Sequence, residues 1–155
     1  MEIIDRGFEA LATAELHEIL KLRVDVFVVE QDCAYAEIDG RDAEAGTRHV
    51  WVSEAGGVLS YLRVLDDGSV RRIGRVVTAP SARGQGHAAT LIDHAVAATD
   101  GPWVLDAQSH LEEWYAARGF VVVGAEFMED GIAHLPMRRE CSAAFDRGHA
   151  GRIDP

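Results

Sequence analysis

Apolar and polar positions change period several times along the chain. From residue 13 to about residue 30, Leu16, Ile19, Leu20, Val24, Phe27 and Val28 recur at helical spacing, which predicts an amphipathic helix with Thr13 as its N-cap. Residues 31–46 are polar, hold Gly40 and Gly46, and read as a loop. Strand-like runs follow at 48–53 and 58–65, on either side of Ala55-Gly56-Gly57, which is a hairpin signal. The turn Asp66-Asp67-Gly68-Ser69 leads into a third strand at 70–78, so these three form an antiparallel meander. Pro80 ends the third strand, and residues 81–86 form a loop.

Helical spacing returns at 87–99, with Leu91, Ile92, Ala95 and Val96 on one face, and Asp100-Gly101-Pro102 stops it. Trp103-Val104-Leu105 reads as a short buried strand, and 111–118 as a short helix with Gly119 at C′. Segments 120–127 and 132–137 pair through the turn Glu129-Asp130-Gly131. Residues 140–155 have little periodicity, so the expectation is one domain over 1–139 and a tail over 140–155, loose or a short packed helix. If the strands at 70–78 and 103–105 share a sheet, the helix between them makes a parallel crossover. The predicted class is α+β: a mixed, mostly antiparallel sheet with one central βαβ crossover and flanking helices.

Composition narrows the function. A chain of 155 residues is one ordinary domain, and 48% apolar content is enough for a real core. A formal charge of −11 argues against nucleic acid and against an anionic membrane surface as partners. No apolar stretch has the length of a membrane span, and Met1 to Asp5 lacks a leader pattern, so a cytoplasmic location is expected. Cys33 and Cys141 make neither a disulfide framework nor a zinc spacing and read as packed thiols. The seven histidines show no paired ligand spacing, so no metal is expected, and His87 and His94 read as lining the surface of one helix.

The chemistry concentrates in one stretch. Val76, Val77, Thr78 and Pro80 lead through Ser81, Arg83, Gly84, Gln85 and Gly86 into His87, Ala88 and Ala89. Small residues between a strand and a helix let backbone N–H groups approach an anion, and a helix N-terminus carries partial positive charge. Residues 70–92 hold Arg71, Arg72, Arg75 and Arg83 and no Asp or Glu, which points to an anionic ligand; the bland alternative is a turn with solvated arginines. A P-loop is absent, because Lys21 is the chain's lone lysine. Gly84-x-Gly86-x-x-Ala89 with Asp106 matches a dinucleotide fingerprint formally, but Pro80 to Arg83 intervene between strand and glycine and too few parallel units follow.

The same residues resemble the GNAT superfamily of acyl-CoA-dependent N-acyltransferases. Arg83-x-x-Gly86-x-Ala88 is similar to its pyrophosphate loop, Thr78-Ala79-Pro80 to its strand end, and Tyr115-Ala116-Ala117-Arg118-Gly119-Phe120 to its late Tyr-x-x-x-Gly-Phe. Within it the chain resembles the ElaA-like branch. Leu22 to Gln31, Asp39-Gly40-x-Asp42, Arg48-His49, Gly74-Arg75-Val76, Ala107 to Leu111, and Glu129-Asp130-Gly131-Ile132-x-His134 carry that likeness. The resemblance implies acetyl-CoA as donor and a primary amine as acceptor. It implies that the amides from Arg83 to Ala89 grip the pyrophosphate, that Val76, Val77 and Thr78 pair with the pantetheine arm, and that the neighbouring strand splays away. Gln108 stands where the family often has Asn. Tyr115 is implied as the acid that protonates the leaving sulfur.

The general base stays open among Glu30, His49, His110 and His134, each of which also reads as a structural or solvated group. Residues 30–44 hold six acids and one base, Arg41, either as a solvated loop or as an acceptor site in which Asp39 and Asp42, with His49 and His134, receive a cationic amine. Cys33 as a covalent acyl carrier is a weak alternative to direct transfer in a ternary complex. A non-catalytic acyl-CoA-binding sensor or interaction module is the reading from another class. Exposed sheet edges make a homodimer an expectation.

Overall fold

The computed structural model describes residues 1–141, so of the tail expected over 140–155 all but Glu140 and Cys141 lies outside the described residues. It opens on a strand that the apolar pattern does not predict, β1 (Glu2–Gly7), paired antiparallel with β2 (Arg48–Glu54). Only two of its six residues are large and apolar; the segment is a strand because β2 offers an edge, and the Arg48–Asp5 ion pair at 2.7 Å ties the two together.

α1 (Thr13–Val24) takes the expected cap, Thr13, as its first helical residue. Ala12 holds the N-cap position, and its N–H donates to the Glu15 carboxylate at 2.9 Å. The helix then widens into a π-helical turn, Asp25–Glu30, so the helical course does reach Glu30. β2 and β3 (Gly57–Asp66) form the predicted hairpin around Ala55 and Gly56, both with positive φ, as a two-residue primed turn requires. β4 (Arg71–Thr78) completes the meander.

α2 (His87–Ala98) crosses to β5 (Trp103–Gln108), which runs parallel to β4. The expected helix at 111–118 is a 3₁₀ turn, Ser109–Leu111, followed by α3 (Glu112–Ala116), with Gly119 at φ +85° closing it. The expected single strand at 120–127 is two pieces, β6 (Val121–Val122) and β7 (Phe127–Glu129), both paired with β8 (Ile132–Arg139). Pro136 in β8 brings no N–H to the ladder, and Gly124 sits so close that a Cβ there would lie 2.8 Å from the Pro136 ring.

Among the described residues the sheet has eight strands, in the order β1-β2-β3-β4-β5-β8-β6, with β7 also on β8. Its central strands are buried on both faces, which is why they read as apolar runs. Val50, Val52, Leu62 and Val64 pack with Leu91 and Ile92 of α2 on one face. Trp51 and Tyr61 point the other way, onto Ile19 and Leu22 of α1. His87 is buried and His94 lies 3.0 Å from Asp5, so neither is the plain surface residue expected. No helix of the described residues is long and apolar enough to cross a membrane.

Candidate active site

The crossover pair β4–β5 is the feature that makes room. The two strands pair only at Arg71↔Trp103 and Arg72↔Val104; from Ile73 and Leu105 onward they part. On its other side β4 carries a bulge: Arg75 and Val76 oppose the single residue Leu62, with Arg75 at φ +53°. A bulge bends its strand and leaves an extra residue out of the ladder. The result is a slot that opens into a cavity of about 1330 Å³, walled by β4, β5, the π turn, the N-terminus of α2, and the β7–β8 hairpin.

At one end of the slot lies the turn from Arg83 to Gly86. Gly84 (φ +76°) and Gly86 (φ +81°) occupy backbone conformations that other L-residues adopt only under strain, and a Cβ at either would meet no atom within 4 Å. Both therefore serve the turn and the open space in front of it, not internal packing. Gly86 caps α2, whose first N–H groups are of the kind that can hold an anion, with Ala88 and Ala89 keeping the first turn low. Gln85 turns away: its amide donates to the Ser81 carbonyl at 3.5 Å, and its oxygen lies 3.3 Å from His87 Nε2.

The four arginines of the acid-free window are all neutralised by acids from outside it. Arg71 pairs with Asp66, Arg72 with Asp67 and Asp106, Arg75 with Asp39, and Arg83 with Glu30. An anion at the turn would therefore be met by backbone amides first. Arg83 reaches Glu30 with both guanidinium nitrogens, at 2.7 and 2.6 Å. That hydrogen-bonded pair holds the Glu30 carboxyl below the usual carboxylate range and makes it a poor proton acceptor.

Asp39, Asp42 and His49 are brought together in one ion-pair network, buried at Asp42 and His49 and open to the cavity at Asp39. Arg23 is fully buried and donates to Glu37 and Asp42, each at 2.7 Å. Arg63 donates to Asp39 at 2.7 Å and to Asp42 at 3.0 Å. Arg75 Nε lies 2.9 Å from Glu37 Oε2, out of line for a hydrogen bond, and Tyr35 donates to the same carboxylate. Burial raises the Asp42 carboxyl, but Arg23 and Arg63 outweigh it and the net shift is downward; hydrogen bonds from Arg63 hold Asp39 well down. His49 Nε2 donates to the Asp42 carbonyl at 2.9 Å, and its Nδ1 accepts from the Tyr61 hydroxyl at 2.8 Å. Burial depresses its pKa, and both nitrogens are spent. The polar atoms of Asp42 and His49 are thus engaged within the protein, where they tie the 31–46 loop to α1, β2 and β3. Asp39 reaches the cavity wall, yet its carboxylate is held by Arg63 and Arg75.

Other candidates do face the cavity. Tyr115 is 5% exposed and lines it; burial pushes its phenol up to about 12. Trp114 and Phe120 pack edge-on against its ring and fix it. His110 is exposed on the cavity rim. His134 Nδ1 donates to the Ile132 carbonyl at 2.7 Å and the ring stacks on Phe127, so its basic nitrogen is Nε2. Gln108, opposite His134 in the β5–β8 ladder, donates to Gln31 Oε1 at 3.4 Å. The cavity also takes in Phe27, Gln31 and Trp114, which the helical pattern shows only as core or cap positions.

Comparison with known proteins agrees with this geometry. Residues 15–141 match the family model of the acetyltransferase (GNAT) domain. UPF0039 protein Rv2851c of Mycobacterium tuberculosis is 49% identical over 138 residues, covering 85% of this chain and 88% of that protein. Protein ElaA of Escherichia coli is 36% identical over 144 residues, and its crystal structure superposes with a TM-score of 0.86 over 90% of this chain and all of that one. The crystal structure of an acyl-CoA N-acyltransferase from Pseudomonas aeruginosa is similar at 40% identity and a TM-score of 0.85, covering 90% and 99% of the two chains.

Proposed function

Since the chain belongs to the GNAT acetyltransferase family, in its ElaA-like branch, we propose that it moves an acetyl group from acetyl-CoA to a primary amine by direct transfer in a ternary complex. The observation that carries this reading is the parted β4–β5 pair ending at two glycines with positive φ and the N-terminus of α2. Strand edges left unpaired by such parting can take an extended chain as an added strand, here the pantetheine arm along Val76 to Thr78. The amides from Arg83 to Ala89 take the pyrophosphate, and Gln108 lends a polar contact beside the arm.

The chemistry then needs three groups. An amide released from the ladder at the Arg75–Val76 bulge donates to the thioester oxygen as it gains charge. The acceptor nitrogen attacks the carbonyl carbon; its proton passes to His134 Nε2, directly or through a water, with His110 on the rim as the alternative base. The carbon–sulfur bond breaks, and Tyr115, which burial keeps protonated, gives its proton to the sulfur. Glu30, held by Arg83, is assigned to the donor loop and not to proton transfer.

The test is thiol release from acetyl-CoA with a panel of polyamines, amino sugars, amino acids and peptide N-termini. The reading expects turnover with at least one amine, and a kcat lower by about 10²–10⁴ in Tyr115→Phe with acetyl-CoA affinity unchanged. Binding without turnover on any amine, indifferent to Tyr115→Phe, contradicts catalysis and supports the sensor reading.

A further inference from the structure

Eight large apolar side chains stay exposed among the described residues, and four of them, Val121, Val122, Val123 and Met128, lie along one edge of the sheet. β6 and β7 form that edge: both pair with β8, and among the described residues no strand follows them. An apolar edge with free backbone groups is a template for another strand. Residues 121–129 hold neither Lys nor Pro, two of the usual guards against such pairing.

The ladder with β8 fixes which backbone groups are free. Val123 N–H donates to the Pro136 carbonyl at 2.9 Å, so by alternation Val122 turns its N–H and C=O away from β8. In the β7–β8 hairpin, Asp130 (φ +50°) and Gly131 (φ +77°) make a two-residue primed turn. Glu129 and Ile132 are then the hydrogen-bonded pair that closes it, and Met128 faces outward as Val122 does.

Charge gives the edge a direction. Among the described residues, Arg118 and Arg139 are the arginines without a carboxylate oxygen within 4.0 Å. They sit together where the chain enters β6, Arg139 Nη1 donating to the Arg118 carbonyl at 2.6 Å. Toward the other end, Glu126, Glu129 and Asp130 are exposed, and among the described residues none of them has an ion-pair partner. One end of the edge is cationic and the other acidic, so the edge is complementary to its own reverse.

We propose that β6 and β7 dock antiparallel on the same edge of a second copy of this chain, about a two-fold axis near Ala125. Val122 then exchanges backbone hydrogen bonds with Met128 of the partner subunit, Met128 does so with Val122 of the partner subunit, and the exposed apolar side chains cover one another. The cationic end of each copy meets the acidic end of the other, whereas parallel pairing would set like charges together. Glu129, Asp130 and His134 of the β7–β8 hairpin line the large cavity, so this contact braces one wall of the candidate active site.

Sedimentation equilibrium of the intact chain from about 1 to 100 µM tests this, a range suited to an interface of modest area. The expected result is a monomer–dimer equilibrium that weakens as salt is raised, because the facing charges are exposed. Val122→Pro removes an N–H that points away from β8 and leaves the β6–β8 bonds in place. It is expected to keep its thermal melt at low concentration and to weaken the dimer at least about tenfold, as loss of paired backbone bonds requires. Met128→Lys, at an exposed side chain on β7, is expected to weaken it similarly and serves should the proline unfold β6. Glu129→Lys is expected to weaken it about threefold or more at low salt, with the difference fading at high salt. A monomer throughout the range overturns the proposal. A dimer left intact by Val122→Pro or Met128→Lys, in a protein shown folded by its melt, overturns it as well.

Discussion

Tyr115 shows how a single environment favours the role proposed for it. Its hydroxyl belongs to a ring closed in by Trp114 and Phe120, and burial raises its pKa to about 12. A base at this position would need the opposite shift; an acid for a departing thiolate needs this one. A kcat profile should therefore show no loss from pH 7 to about pH 10, because the phenol stays protonated throughout that window. A fall with an apparent pKa below 10 would remove Tyr115 as the acid. Gly86 makes the second case at this scale. A Cβ at Gly86 meets no neighbour within 4 Å, but Gly86→Val must hold φ +81°, a cost of about 1–3 kcal/mol. It should remain folded, with a melting point lowered by several degrees, and lose acetyl-CoA affinity at least about tenfold. The motif Arg83-x-x-Gly86-x-Ala88 was legible because glycine demand at a turn is local. The partners of Asp42 and His49 were not, since they come from α1, β3 and the far side of the loop.

At the scale of elements, the acids of residues 30–44 act as fasteners. Glu37, Asp39 and Asp42 face Arg23, Arg63 and Arg75, three charges against three, and this pins a polar loop against the sheet. Asp42→Asn leaves buried Arg23 and Arg63 short of countercharge and should cost about 3–5 kcal/mol in denaturant unfolding; a loss below about 1 kcal/mol would mean that the network is solvated. The fastener between Glu30 and Arg83 is different, because it is exposed and ties the π turn to the turn proposed to take the diphosphate. Glu30→Gln frees Arg83 for the diphosphate and should tighten acetyl-CoA binding about two- to fivefold. Unchanged or weaker binding would show that Arg83 does not meet the donor. The hairpins and α2 were readable from period and turn chemistry. β1 and the β6–β7 break were not: one is made by an edge offered 40 residues away, the other by Pro136 against Gly124.

For the whole molecule, the net charge of −11 hides an interior that is locally balanced, so its stability should follow pH in two windows. His49 has a depressed pKa when folded, so the folded state resists its protonation and loses stability as pH falls below about 6.5, the unfolded value. Asp39 and Asp42 are likewise depressed; their contribution is complete above about pH 4 and lost as pH drops toward their folded values. Melting temperatures from pH 8 to pH 3 should decline in both ranges, and a flat curve between pH 7 and 5 would contradict the buried neutral imidazole. The α+β class and the single crossover were visible in the order of elements alone. The slot was not, because it depends on where two parallel strands stop pairing, and no periodicity records that.

Titration calorimetry of acetyl-CoA into the described protein tests the central claim most directly. The account predicts saturable binding of one molecule per chain that Gly86→Val abolishes or weakens at least about tenfold in a folded protein. No heat with the unaltered protein, or an affinity that Gly86→Val leaves as it was, would contradict it.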